Sequence, residues 1–252
     1  MPPPPPILNP VSSRFLALFR DKQFFLMCIL LSVSLGAGFV AGSGISIPTA
    51  IVLALMWVLY ADAKKGIVKS SNMRMVSGAI LAEFIVNVVA AVALVLFAIL
   101  VAVVTAVFIS NEAVGSEVIA GIIQAFEEAN FYFTIGNYSI PFDSITSVAG
   151  IFWICVAVLL FFALEMIVIH VVGYRKMHKL AKASYMGVES GNFEFSGLGG
   201  VKIWLVLFII YSIGSALILF ATLEIIGAAA YATNAAALIV AKKLIDRYFA
   251  EN

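Results

Sequence analysis

The sequence predicts an all-α, polytopic membrane bundle of six transmembrane helices, and composition, run length and charge placement are the observations behind it. Of 252 residues, 63% are hydrophobic and only 12% charged, and mean hydropathy is +1.10. Soluble domains carry about 25% charged residues, so the chain is too apolar for that class. Several apolar runs reach the roughly 20 residues that cross a hydrocarbon core of about 30 Å, without the period-two alternation of barrel strands. The net charge of +1 gives no reason to expect a nucleic-acid partner. Cys28 and Cys155 both fall in apolar runs, so they are read as packing residues rather than a disulfide or CxxC pair.

Residues 1–10, MPPPPPILNP, form a proline-rich tail, because consecutive prolines lack N–H groups and favour polyproline II. Residues 11–23 set Phe15, Leu16, Leu18 and Phe19 against Arg14, Arg20 and Lys22, the pattern of an interfacial amphipathic helix. A single membrane domain, 24–252, follows. Spans are expected at about 24–42, 47–63, 76–104, 146–172, 203–222 and 226–241. Glycines and Pro48 place a turn within Gly42–Pro48, and a second hairpin turns between Ala221 and Ile226. The third and fourth apolar runs exceed the core thickness and must tilt, break or project. No cleavable signal peptide is evident, so the first span is expected to remain as an anchor.

Six spans put all 15 Lys and Arg residues on one side, while the loop from Asn111 to Ser144 holds five acids and no base. The positive-inside rule then places both termini in the cytoplasm of a plasma-membrane protein. In the outer loop, Val118, Ile119, Ile122, Ile123 and Phe126 give an amphipathic helix, and Phe131, Tyr132, Phe133, Tyr138 and Phe142 read as an interfacial anchor. Trp57, Tyr60 and Trp204 suit an inner aromatic belt. The loop after Tyr174 starts with a basic helix facing anionic headgroups and has neither GxGxxG nor GxxxxGK[ST], so nucleotide binding has no support.

The polar residues inside the spans are the candidate site. Glu83 follows Arg74 by nine residues and Glu165 precedes Arg175 by ten, so each lies about 14 Å of helix from a basic boundary. Asn87 is one turn beyond Glu83 on the same face. Two readings stay open: a buried site for a cation or proton built from Glu83, Asn87 and Glu165, or a purely structural placement near the inner interface. His170 and His178 are assigned to the headgroup level. Gly38 and Gly42 form a GxxxG, a helix-packing face that suits intramolecular contact and also offers a surface to a protein partner or a second copy.

The stretch SSRFLALFRDKQFFLMCILLSVS, followed by IPTAIVLALMWVLYADAKKG, resembles a group of uncharacterised multi-pass membrane proteins of anaerobic Gram-positive bacteria, over about residues 12–66. Members of that group often carry an N-terminal zinc ribbon. This chain has MPPPPPILNP there, so the resemblance implies no metal site and no known activity.

No HExxH, CxxC or nucleophile constellation is present, and neither an enzymatic activity nor a cofactor is expected. The leading expectation is an interaction, scaffold or regulatory role in the lipid bilayer. The alternative is a small transporter or ion-conducting protein using Glu83, Asn87 and Glu165, and a cavity reaching those residues would favour it.

Overall fold

The computed structural model describes residues 9–42, 46–110, 120–121, 124, 133–135, 138–140 and 145–249. The helices are α1 (Pro10–Arg20), α2 (Lys22–Val40), α3 (Ile47–Lys64), α4 (Ser70–Ser110), α5 (Ile145–Glu165), α6 (Val172–Ser190), α7 (Leu198–Ala221) and α8 (Ile225–Tyr248). A π-helical turn, Met166–Val171, joins α5 to α6. Six helical segments are long and apolar enough to cross a membrane: Lys22–Val40, Ile47–Lys64, Ser70–Val107, Phe152–Ser190, Leu198–Ala221 and Ile225–Tyr248. Between α4 and α5 lies a short antiparallel ribbon, β1 (Phe133–Ile135) with β2 (Tyr138–Ile140), in which Phe133 pairs with Ile140. The aromatic segment thus contributes a ribbon to an otherwise helical chain. The amphipathic helix expected in this loop falls largely outside the described residues.

By compactness the chain divides into two units, Met1–Asn87 with Val168–Asn252, and Val88–Ile167.

In the first unit the helix ends follow from local chemistry. Asn9 caps α1, its side chain accepting from the Ser12 N–H at 2.6 Å, and Pro10 supplies the fixed φ that a first turn favours. Asp21 has an extended backbone that ends α1, and its carboxylate caps α2 through the Gln23 N–H at 2.8 Å. Pro48 sits in the first turn of α3. Gly191, with φ 78°, closes α6 in the left-handed conformation that glycine tolerates best. The second hairpin turns at Thr222–Glu224 without a glycine, and Leu223 takes φ 63°.

The core of this unit gathers at the charged helix ends. Phe15, Phe24, Leu59, Val201, Trp204, Leu205, Leu244 and Phe249 are all buried there. Phe15 is only 2% exposed, and its ring meets Phe193 at 6.0 Å and Phe249 at 5.7 Å. The apolar face of α1, expected to rest on lipid, is therefore covered by protein. Aromatic side chains from the loop after α6 and the end of α8 supply that cover. Ion pairs ring this core: Arg247 with Asp21 at 2.7 Å, Lys202 and Lys242 with Asp246 at 2.9 and 2.8 Å, Arg74 with Glu189 at 2.8 Å, and Lys69 with Asp62 at 3.3 Å. Arg20 donates to the carbonyls of Ala63 and Lys64, satisfying orphan groups at the end of α3. At the far end of the hairpins, Val40, Ile47, Leu223 and Ile225 are exposed, as a lipid-facing surface requires.

In the second unit, buried positions recur every seven residues, at Ala91, Ala98 and Thr105 on α4 and at Val156 and Ala163 on α5. Mostly small residues in a seven-residue stripe are what close helix packing in lipid favours. The Thr105 hydroxyl donates to the Val101 carbonyl at 2.7 Å, so its burial leaves no unmet donor. Large apolar side chains such as Leu96, Leu100, Phe161 and Leu164 point outward. Cys28 is buried, as expected of a packing residue, whereas Cys155 is exposed on α5.

Candidate functional site

The first unit holds a half-open cavity of about 500 Å³, within the range of pockets that hold drug-sized ligands. Its wall is mostly apolar, with Met27, Leu31 and Leu35 from α2, Val52, Leu53 and Met56 from α3, Phe208 from α7, and Leu238, Ala241 and Ile245 from α8. Leu18 of α1 and Phe249 belong to the same wall. Small residues on α8 make the room. Ala230, Ala237 and Ala241 line the space that bulkier side chains would fill.

The polar part of the wall centres on Glu83, which is 7% exposed. Its Oε2 accepts a short hydrogen bond from the Ser46 hydroxyl, and its Oε1 lies 3.4 Å from Asn87 Nδ2. Asn87 Nδ2 also donates to the Glu83 carbonyl at 2.8 Å, the back-bond of one helical turn. Tyr174 on α6 and Thr49 on α3 line the same wall, and Tyr174 lies within electrostatic reach of Glu83. A second polar group comes from α2 and α8. Ser34 donates to the Ala230 carbonyl at 2.8 Å, and Asn234 donates to the buried Ser212 hydroxyl at 3.1 Å.

Of the sequence-predicted site residues, Glu83 and Asn87 come together as expected, one turn apart and buried. Glu165 is the last residue of α5, half-buried, in the second unit. Gly38 and Gly42 do not meet another helix closely among the described residues, because nothing lies within 4 Å of a Cβ built on either. Gly38 opens onto the cavity instead, and Gly42, at φ 77°, serves the turn after α2. The close glycine contact is elsewhere: a Cβ on Gly173 would lie 1.7 Å from Trp204 Nε1. Trp204 is 5% exposed and donates to the Ile169 carbonyl at 2.6 Å, so it is a core residue rather than part of an interfacial belt.

Both histidines have partners within the first unit. His170 is half-buried against the rings of Phe208 at 5.6 Å, Tyr211 at 6.0 Å and Tyr174 at 6.3 Å. It lies inside the π turn, where the widened helix departs from regular side-chain register. His178 Nδ1 donates to the Ser77 carbonyl at 3.0 Å and lies 3.2 Å from the Ser77 hydroxyl, pinning α6 to α4.

Sequence reasoning missed Ser46, Thr49, Tyr174 and Asn234. Asn234 was the most accessible of these, as an amide in an otherwise small and apolar span that has to find a partner. Ser46 and Thr49 read as ordinary turn residues until Glu83 is seen beside Ser46.

Chemically, the site offers one buried carboxylate, neutral donors that hold it, and a large apolar space. Among the described residues no base lines its wall, and no group of three His, Cys, Asp or Glu side chains is placed to share a metal ion. The geometry defines a helical protein, with six helices long and apolar enough to cross a membrane and a half-open cavity in its first unit. No protein family, curated protein or solved structure matches the chain.

Proposed function

We propose that this is a plasma-membrane protein, with both termini in the cytoplasm, that binds a small, mainly apolar molecule inside its first unit and acts as a carrier or receptor without catalytic chemistry. The observation that carries this reading is the cavity of about 500 Å³ whose apolar wall ends at buried Glu83. A half-open pocket of this size with a mostly apolar wall is the kind of concavity that small ligands occupy. Gly38, expected to form a helix-packing face, opens onto the cavity. The reading stands on the first unit alone and does not require Glu165.

Protein in lipid nanodiscs should bind the neutral fluorescent probe N-phenyl-1-naphthylamine saturably, above the partitioning measured in empty nanodiscs. Gly38→Phe should remove the saturable part while leaving the fold intact, since its side chain enters open space. Equal probe uptake with and without the protein would refute a binding cavity.

A further inference from the structure

The chemistry of the cavity wall narrows the ligand, given the binding role proposed above. Among the described residues Glu83 is the one acid in the wall, and no Lys, Arg or His lines it. Its hydrogen-bond partners, Ser46 and Asn87, are neutral, so they hold the carboxylate without balancing its charge. An ionised carboxylate has about four lone-pair sites for donors, and these two leave acceptor capacity toward the cavity. Such a charge beside a mostly apolar wall is stabilised when an opposite charge joins it.

We propose that the cavity binds a lipophilic monocation, an amine or onium group on an apolar body, with its charge at Glu83 and its body along α2 and α8. Tyr174, Trp204 and Phe208 line the same wall, and aromatic rings favour a nearby cation over an anion. An inorganic ion would leave the apolar volume empty and would lose its water to a wall dominated by leucine, methionine and valine. A lipophilic anion would face Glu83 directly, without a compensating base.

The test is equilibrium dialysis of the full chain in nanodiscs, read against empty nanodiscs, with three probes of similar shape: tetraphenylphosphonium, tetraphenylborate and neutral triphenylmethanol. Wild type should bind the phosphonium saturably and at least tenfold more tightly than the neutral probe, and should not bind the borate. Glu83→Gln, close in volume and still able to hydrogen-bond Ser46, should weaken the phosphonium at least tenfold and leave the neutral probe within twofold. Gly38→Phe should remove saturable binding of both. If wild type binds the neutral probe as tightly as the phosphonium, or Glu83→Gln leaves phosphonium affinity within twofold, the charge assignment fails while the cavity stands. Should no probe bind wild type, the binding role fails and this proposal with it.

Discussion

Ser46 occupies the N-cap position of α3, yet its side chain makes no capping hydrogen bond and donates to Glu83 on α4 instead. A cap hydroxyl ordinarily satisfies an N–H of the first helical turn. Here it stabilises a buried acid, so Ser46 serves Glu83 rather than the turn's own chemistry. Ser46→Ala should therefore leave helix capping unchanged and destabilise the protein through Glu83, by about 1–3 kcal/mol, the usual loss for a buried polar group deprived of a partner. Thermal unfolding in detergent would measure it. In the Glu83→Leu background the same change should have little effect, and equal losses in both backgrounds would show that the hydroxyl acts elsewhere.

Gly173 and Gly38 should respond in opposite ways to an added methyl group. A Cβ at Gly173 overlaps the Trp204 indole, whose Nε1 is already committed to the Ile169 carbonyl, so the ring cannot withdraw without losing that bond. Gly173→Ala should cost about 1–3 kcal/mol through overpacking. Gly38→Ala should be neutral or stabilising, since it enters open space on a helix, where alanine is favoured by roughly 1 kcal/mol over glycine. Melting temperatures of the two variants would decide, and a Gly173→Ala protein as stable as wild type would mean that Trp204 has another position to occupy.

What the sequence made legible was whatever a single helix determines for itself. The stretches between Lys22 and Lys64 and between Lys202 and Lys242 read as hairpins because apolar runs of span length are bounded by charges, and α2, α3, α7 and α8 lie there. Glu83 with Asn87 was legible for the same reason, since a four-residue spacing fixes a shared face. The partners of α1 were not. Its Phe15 face looks identical whether lipid or Phe193 and Phe249 cover it, and those rings come from more than 170 residues away. The cavity was equally hidden, because it is space left between helices, and Gly38 reads as a packing glycine until its surroundings are known. The π turn that holds His170 changes local register without any glycine or proline to announce it.

The ends of the chain should prove to be on the same side of the membrane as the basic loops. Within the first unit the contacts agree with this segregation: Arg247 near the C-terminus pairs with Asp21 at the start of α2, and Asn9 donates to the Val188 carbonyl at 3.1 Å. A reporter active only in the cytoplasm should work when fused after Asn252 and fail when inserted between Asn111 and Ser144. Activity from the inserted reporter, or none from the terminal one, would overturn the orientation.

Acid should loosen the junction that Asp21 makes between α1, α2 and α8. Its carboxylate accepts from the Gln23 N–H at 2.8 Å, Tyr248 at 2.9 Å and Arg247 at 2.7 Å. Partial burial pushes its pKa up, but the hydrogen bonds from Gln23, Tyr248 and Arg247, with the Arg247 charge, outweigh that and hold it below the ordinary 3.8. A carboxyl whose pKa is lower in the folded state stabilises that state fully above the ordinary value and loses the contribution as pH falls through the depressed one. Asp21→Asn should thus lower stability at pH 7 by about 1 kcal/mol, a modest figure because Arg247 is 55% exposed and the pair is screened. The difference between wild type and Asp21→Asn should hold from neutral pH down to about pH 5 and shrink below 3.8, the ordinary value. Because other acids titrate in the same window, the difference between the two proteins is the measurement, not the melting temperature of either. A difference that stays constant to pH 3, or grows there, would show that Asp21 is not held ionised by this junction.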